Sequence, residues 1–205
     1  KGLEDIVNEA DGVMVARGDL GVELAIEQIP TIQKRIIRTC NMKGIPVITA
    51  TEMLESMVNR GRPTRAEVTD VANAIVDGSD ATMLSAETSI GKNPAQAVHM
   101  MNKIAHETEK HLPYLRILNE KSGWHDKSVE NIISYRACYI AEELNSPAIV
   151  AYTRSGLTAE RVSQSRPRAP ILALTPNHQV ARRLLIRWGV QPVVTEPIES
   201  ADELF

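Results

Sequence analysis

The segment 11–21 combines an apolar stretch with side chains that can do chemistry. Val13–Ala16 is short, apolar and β-branched, which is typical of a buried strand. Arg17, Gly18 and Asp19 follow it, in what we expect to be a loop. Gly18 lets a ligand approach the backbone closely, and Asp19 offers the carboxylate oxygens that hard divalent cations prefer. The segment therefore indicates a ligand or metal site, with an ordinary solvated loop as the alternative.

Polar residues also follow two later apolar stretches of the same kind. Thr51 ends the stretch 46–51, and Ser85 and Glu87 come directly after the stretch 81–84. Folds of the α/β class keep their chemistry at the carboxyl ends of their strands, so these side chains are candidates for the same site. Each also has a structural interpretation, with Thr51 as an ordinary residue ending a strand and Ser85 as the N-cap of the following turn.

The elements that must position these residues alternate between helix and strand. Apolar spacing and turn signals predict helices over 1–10, 26–42, 52–58, 65–76 and 94–111, and strands over 13–16, 46–51 and 81–84. Such alternation favours parallel strands joined by helical crossovers, with their carboxyl ends along one edge.

Residues 112–127 interrupt this pattern, since Pro113, a Ser-Gly pair and mixed charges indicate a linker. Beyond it, Ser128 is suited to cap a helix that runs to Leu144. The pattern then predicts strands over 148–152 and 170–175 and from 193, and helices over 158–165 and 178–188 and from 200. We therefore expect an α/β domain over 1–111, a linker over 112–127, and a partial, doubly wound α/β domain over 128–205.

The composition excludes several classes of protein. Hydrophobic residues make up 43% of the chain and charged residues 24%, with a net charge of −3, which is ordinary for a soluble globular protein and lacks a basic nucleic-acid footprint. The sequence has neither an apolar run long enough to span a membrane nor a secretory leader pattern at its start. Cys40 and Cys138 are far apart and lie in helix-like stretches, which favours reduced thiols and a cytoplasmic location.

Five motifs, in order along the chain, resemble the pyruvate kinase family. They are Val13-Met-Val-Ala-Arg-Gly-Asp-Leu-Gly21, Ala50-Thr-Glu-Met-Leu-Glu-Ser-Met57, Arg62-Pro-Thr-Arg-Ala-Glu67, Asp70-Val-Ala-Asn-Ala74 and Met83-Leu-Ser-Ala-Glu-Thr88. The resemblance implies that the first domain is the last three βα units of a TIM (β/α)8 barrel and that the second is regulatory. It also implies the family's reaction, in which phosphoenolpyruvate passes its phosphoryl group to ADP and yields pyruvate and ATP.

The same resemblance implies roles for the residues after the first strand. Asp19 would bind the divalent metal, Mg²⁺ or Mn²⁺, and the backbone N–H groups of Gly18 and Asp19 would hold the carboxylate of the substrate. Arg17 is a further substrate-binding candidate, with bracing of the loop or of a subunit contact as the alternative.

Roles are also implied for the residues after the second and third strands. Thr51 would contact the substrate and, with Ser85, form the polar relay that protonates the enolate, while Glu87 would support Ser85. Glu52 departs from the glutamine that many family members carry at this position, so it adds a carboxylate beside the site.

One loop of the second domain resembles a phosphate site for an allosteric sugar phosphate. Hydroxyls and free N–H groups cluster there between a strand and a helix N-terminus, at Thr153, Arg154, Ser155, Gly156 and Thr158. A plain Ser/Thr helix cap is the structural alternative. This loop also supports a rival hypothesis, a stand-alone sugar-phosphate-binding module without catalysis.

Other parts of the family's machinery are expected outside this chain. The resemblance places the catalytic lysine, a metal-binding glutamate, the K⁺ ligands and the small lid domain before residue 1, so we expect the 205-residue chain alone to be inactive. The family is commonly a homotetramer, with residues 63–67 near one subunit contact. Another barrel enzyme that uses phosphoenolpyruvate or a metal-bound enolate is the alternative enzyme class, and the identity of the product distinguishes them.

Overall fold

The computed structural model describes residues 2–124 and 128–197, and the chain divides into two compact units, Lys1–Leu112 and Pro113–Phe205. The first unit contains a three-stranded parallel sheet in the order β1 (Val13–Ala16), β2 (Val47–Ala50) and β3 (Ala81–Met83). Its register pairs Ala16 with Ala50 and Ala50 with Met83, so the three strands end side by side. This arrangement confirms the predicted α/β class with parallel strands.

The helices of the first unit are α1 (Leu3–Glu9), α2 (Arg17–Glu23), α3 (Ile29–Lys43), α4 (Arg65–Val76), α5 (Ala86–Ser89) and α6 (Pro94–Lys110). Two 3₁₀ turns cover Ile26–Gln28 and Glu55–Val58, the second in place of the helix expected over 52–58. The core beside the sheet packs α1 and α3 against β1 and β2 through Val7, Val15, Ile37, Cys40 and Val47. Burial, together with the nearby charge of Asp80, raises the pKa of the Cys40 thiol to about 11, and the cysteine is free.

The prediction of a loop after the first strand is wrong, because Arg17, Gly18 and Asp19 form the first turn of α2. Glycine is about 1 kcal/mol less favourable than alanine inside a helix, and this seven-residue helix contains two glycines, so its local pattern does not predict a helix. Tertiary contacts stabilise this helix in place of intrinsic helix propensity. Arg17 is buried, and Leu20 packs against the core of the first unit.

The second unit repeats the architecture, with a parallel sheet in the order β4 (Ile149–Tyr152), β5 (Ile171–Thr175) and β6 (Val190–Val194). Its helices are α7 (Tyr114–Lys121), α8 (Val129–Glu143), α9 (Leu157–Gln164) and α10 (His178–Leu184). Ser128 caps α8, as predicted, by accepting a hydrogen bond from the backbone N–H of Asn131. The helix predicted from residue 200 lies outside the described residues. None of the helices in the described ranges is long and apolar enough to cross a membrane.

The interval expected to be a linker contains α7. Leu118 of this helix is fully buried in the core of the second unit, beside Cys138 and Ile171, and Lys121 donates a hydrogen bond to the Gln164 carbonyl. The four-residue spacing of Tyr114 and Leu118 places both on one helix face, but one short apolar stripe is a weak signal among prolines and charges. The domain limits expected from the sequence, 1–111 and 128–205, stay predictions.

We predict that Leu118→Ala lowers the free energy of unfolding of the second unit by about 2–5 kcal/mol, because it opens a cavity in a packed core. Leu115→Ala is the matched control on the same helix. The Leu115 side chain is 47% exposed, so we expect a change within about 0.5 kcal/mol. Urea unfolding followed by the fluorescence of Trp124 and Trp188 measures both variants. Equal effects would mean that α7 does not contribute to this core.

Candidate active site

The candidate site lies where the three strands of the first sheet end. Arg17 follows β1 directly, Thr51 follows β2, and Ser85 comes shortly after β3. Because the strands are parallel and end in register, their carboxyl ends meet at one edge of the sheet. The polar residues that the sequence singles out after each strand are therefore brought to the same edge.

Gly18 and Thr51 are joined by a hydrogen bond between the first two strand ends. The backbone N–H of Gly18 donates to Thr51 Oγ1 at 2.8 Å, and Thr51 Oγ1 donates to the Ala50 carbonyl at 2.7 Å. A hydroxyl has one proton and two lone pairs, so these two bonds leave one lone pair for a further donor. The hydrogen bond that the Thr51 hydroxyl accepts and the one that it donates together define its position.

Thr51 and Glu52 have left-handed backbone conformations, with φ of 69° and 52°. This region is unfavourable for residues with a Cβ, most of all for β-branched ones, and such conformations cost about 1–3 kcal/mol each. An ordinary residue ending a strand does not adopt it. Residues strained in this way cluster at functional sites, which favours a functional role for this turn.

The side chain of Arg17 points into the protein and away from solvent, and the residue is only 9% exposed. Its Nε and Nη2 atoms both donate to the Thr51 carbonyl, at 3.1 and 2.5 Å, and its Nη1 atom donates to Asp70 Oδ2 at 2.5 Å. Nη2 also contacts Met53 Sδ at 3.0 Å. A buried cation needs a counter-charge and hydrogen-bond acceptors, and Asp70 and Thr51 supply them.

Glu87 is a fully buried carboxylate between the second and third strand ends. It accepts hydrogen bonds from the backbone N–H groups of Leu54 and Ser85, at 2.9 and 2.7 Å. Ser85 occupies the N-cap position of α5, but its side chain makes no capping hydrogen bond. The structural alternative for this serine, a helix cap, is therefore not realised by its hydroxyl.

Glu67, on α4, binds the chain that follows β2, as Glu87 does. Its carboxylate accepts hydrogen bonds from the backbone and hydroxyl of Ser56, at 2.7 and 2.6 Å, and from the backbone and hydroxyl of Thr64, at 2.7 and 2.9 Å. With the Thr64 hydroxyl it forms a capping box at the start of α4. Partial burial acts to raise the pKa of Glu67, but these hydrogen bonds outweigh it and the pKa is lowered.

Asp19 is exposed in the first turn of α2. Within residues 2–124 and 128–197, no group of three or more His, Cys, Asp or Glu side chains is placed to hold a metal ion. Mg²⁺ takes several oxygen ligands in near-octahedral geometry. The described residues therefore do not by themselves form a complete divalent-metal site at this edge.

The loop of the second unit that the sequence predicts to be a phosphate site is held by a hydrogen bond between two of its own residues. Thr153 is buried and its Oγ1 accepts from the N–H of Gly156 at 2.9 Å, so this hydroxyl organises the loop. Gly156 has a φ of 98°, a conformation that favours glycine, and it precedes α9. Arg154, Ser155 and Thr158 are exposed around it.

Arg183 is a residue at this loop that sequence reasoning missed. Its Nη2 atom donates to the Ser155 carbonyl at 2.6 Å and lies 3.3 Å from Glu160 Oε1. Asp70 and Met53 were missed at the first site, although both lie inside motifs that the sequence displays. The sequence carries no local signal for these contacts, since Arg17 and Asp70 are 53 residues apart.

The fold and the site define an α/β protein with polar residues gathered at the carboxyl ends of parallel strands. The family profile for the pyruvate kinase barrel domain matches residues 1–98, and that for the pyruvate kinase alpha/beta domain matches residues 131–205. The chain belongs to the pyruvate kinase family.

Named relatives and a solved structure agree with this membership. Pyruvate kinases of Clostridium acetobutylicum and Agrobacterium vitis are 48% and 52% identical to this chain, over 98% and 97% of it and 43% and 41% of their own length. A crystal structure of a pyruvate kinase from Cryptosporidium parvum matches with a TM-score of 0.95 and 42% identity, over 98% of this chain and 42% of that one. The chain thus spans less than half the length of these relatives.

We predict that Glu67→Gln flattens the acid dependence of stability. A carboxylate whose folded-state pKa is lowered stabilises the fold above its unfolded-state pKa, and this contribution is lost as the pH falls from about 5 through the lowered pKa. The variant lacks that contribution, so it should be less stable at pH 7 and lose less stability on acidification. Urea midpoints between pH 7 and pH 3 measure this. Glu55→Gln, which removes an exposed carboxylate on the neighbouring 3₁₀ turn, is the control, and identical slopes for Glu67→Gln and the unmodified chain would contradict the prediction.

Proposed function

We propose that this chain forms part of a pyruvate kinase, which transfers the phosphoryl group of phosphoenolpyruvate to ADP and yields pyruvate and ATP. The observation that carries the proposal is the hydrogen bond between the Gly18 N–H and Thr51 Oγ1. It joins two residues, from two separate motifs, to which the family resemblance gives substrate contacts. Family membership of both matched regions supports the same conclusion.

In this proposal the substrate carboxylate binds at the backbone N–H groups of Gly18 and Asp19. The Gly18 N–H already donates to Thr51 Oγ1, so a bound carboxylate shares this donor or displaces the hydroxyl. Arg17 supports the site through its hydrogen bonds to the Thr51 carbonyl. It does not bind the substrate as a free cation, because its guanidinium already contacts Thr51, Asp70 and Met53.

The proton step is assigned to the hydroxyls of Thr51 and Ser85. Loss of the phosphoryl group leaves the enolate of pyruvate, whose methylene carbon must gain a proton to become a methyl group. The Thr51 hydroxyl proton is directed at the Ala50 carbonyl, and rotation about the Cβ–Oγ1 bond redirects it. Ser85, whose hydroxyl makes no capping hydrogen bond, is the candidate to pass on a replacement proton from solvent.

Asp19 is proposed as one ligand of the divalent ion, Mg²⁺ or Mn²⁺. When bound, such an ion supplies positive charge that stabilises the transferring phosphoryl group. K⁺ is proposed as the monovalent cofactor on the resemblance alone, with none of its ligands assigned to this chain. Because the described residues form no complete metal site, we propose that the 205-residue chain alone does not turn over.

We predict that Asp19→Asn, in a complete pyruvate kinase carrying this sequence, lowers kcat/KM by at least about 100-fold and raises the Mn²⁺ concentration needed for half-maximal activity. Glu23→Gln is the matched control, because Glu23 is an exposed carboxylate on the same helix, α2. Pyruvate release from phosphoenolpyruvate and ADP is the assay.

The same assay separates the possible failures. An unchanged Mn²⁺ dependence in Asp19→Asn would remove Asp19 from the metal site. A product other than pyruvate from the complete enzyme would replace the proposed reaction with that of another phosphoenolpyruvate-using or metal-enolate barrel. Turnover by the purified 205-residue chain would refute its proposed inactivity.

We also propose that the loop 153–158 binds the phosphate of a sugar-phosphate effector, which makes the second domain regulatory. The exposure of Arg154, Ser155 and Thr158 at the start of α9 favours this. The proposal leaves Thr153 with a supporting role, because its buried hydroxyl binds the N–H of Gly156. Binding without any catalysis by the complete protein would support the stand-alone module instead. Homotetramer assembly near 63–67 is proposed on the resemblance, and a cytoplasmic location on the two free cysteines.

We predict that Ser155→Ala and Thr158→Ala each weaken binding of inorganic phosphate or a sugar phosphate by about tenfold, since a hydrogen bond to a charged group contributes about 1.5–3 kcal/mol. Ser122→Ala, an exposed serine in the same unit that bonds to the Asn119 carbonyl, is the control. Calorimetric titration of the chain measures the three variants. Unaltered affinity in both loop variants would argue for a plain helix cap.

A further inference from the structure

The peptide bond between Thr51 and Glu52 lies between two residues with left-handed backbones. Its carbonyl accepts two hydrogen bonds, from Nε and Nη2 of Arg17, and we call this pair of bonds the Arg17 fork. We propose that Arg17, oriented by Asp70, is a positioning residue that holds this turn and thereby keeps the Thr51 hydroxyl against the Gly18 amide. The proposal deepens the proposed function and rests on it for its catalytic consequence.

The contact requires the geometry of a guanidinium. Nε and Nη2 of Arg17 meet one carbonyl oxygen at 3.1 and 2.5 Å, while Nη1 reaches Asp70 Oδ2 at 2.5 Å. Because the guanidinium is rigid and planar, the hydrogen bond from Nη1 to Asp70 limits the directions in which the other two donors can point. A lysine at this position has a single ammonium on a flexible stem and cannot hold both partners in that arrangement.

Asp70 makes α4 part of this support. It lies on that helix, 53 residues from Arg17 in sequence, and its side chain is 36% exposed, whereas that of Arg17 is 9% exposed. The carboxylate therefore neutralises a buried cation from the side nearer to solvent. With the charge of Asp70 removed, the guanidinium is left buried without its ion-pair partner, and its orientation toward the Thr51 carbonyl is no longer enforced.

The consequence for the site follows from the position of Thr51. When the fork is lost, the strained Thr51–Glu52 turn relaxes toward the right-handed or extended regions that both residues prefer. The Thr51 side chain then moves with its backbone, and the Gly18 N–H loses the acceptor that it has at 2.8 Å. An ion pair that only stabilised the fold would not act on this one hydrogen bond.

The first test measures amide hydrogen exchange by NMR in the 205-residue chain. We expect the Gly18 amide to exchange at least about tenfold faster in Arg17→Lys and in Asp70→Asn, while the amides of β2 keep their protection. Asp77→Asn is the matched control, since Asp77 caps the other end of α4 and pairs with Lys34, away from Thr51.

Unchanged Gly18 exchange in either variant, with β2 still protected, would overturn the positioning role. Loss of β2 protection in Arg17→Lys would mean that this variant does not fold, and Asp70→Asn, which keeps the size of the side chain, then decides the question. Equal acceleration in Asp77→Asn would also overturn the proposal, because the effect would then be general to α4.

The second test uses a complete pyruvate kinase carrying this sequence. We expect Arg17→Lys and Asp70→Asn to lower kcat by about 100-fold, with a similar loss in the rate at which pyruvate methyl protons exchange with solvent, because misplacement of a catalytic group by about 1 Å costs this much. The Asp77→Asn enzyme should keep its kcat. Variants with normal kcat and proton exchange would overturn the role in catalysis, whereas an unmodified enzyme that forms no pyruvate would overturn the proposed function and leave the exchange result on Gly18 standing.

Discussion

The fork of hydrogen bonds from Arg17 to the Thr51 carbonyl is the contact on which the candidate site depends. It joins the end of β1 to the end of β2 at a turn whose backbone is unfavourable by itself. A buried guanidinium is stable only with a counter-charge and with acceptors for its N–H groups. The same pairing therefore supplies the acceptors that the cation needs and contacts the strained turn at its central peptide bond.

Two carboxylates complete this support from other directions. Arg17 holds the chain after β2 at the Thr51 carbonyl, Glu87 holds it at the Leu54 N–H, and Glu67 holds it at the Ser56 N–H. The three side chains belong to α2, α5 and α4, so three separate elements define one short irregular segment. Charged groups suit this task, since hydrogen bonds to ionised partners are about twice as strong as neutral ones.

The parallel sheet explains why motifs so far apart in sequence belong to one site. Crossover helices return the chain in the same direction, so each strand delivers its following residues to the same edge. The second unit uses the same principle, with the loop 153–156 after β4 and a guanidinium from α10 bound to the Ser155 carbonyl. In both units a strand end is held by an arginine that binds a backbone carbonyl, although the two arginines come from unrelated positions.

Local pattern in the sequence determined the α/β class, the long helices and, to within one residue at each end, the strands β1 to β5, and α4 begins and ends at the predicted residues, 65 and 76. The strand expected from 193 instead begins at Val190. Apolar spacing and caps act within a few residues, and this makes them readable without a structure. Only the tertiary structure decided the short helices α2, α5 and α7, the left-handed turn at Thr51, and the burial of Arg17 against Asp70. The turn at Thr51 and the burial of Arg17 involve contacts between residues 34 and 53 positions apart, and no local pattern encodes which distant side chains will meet.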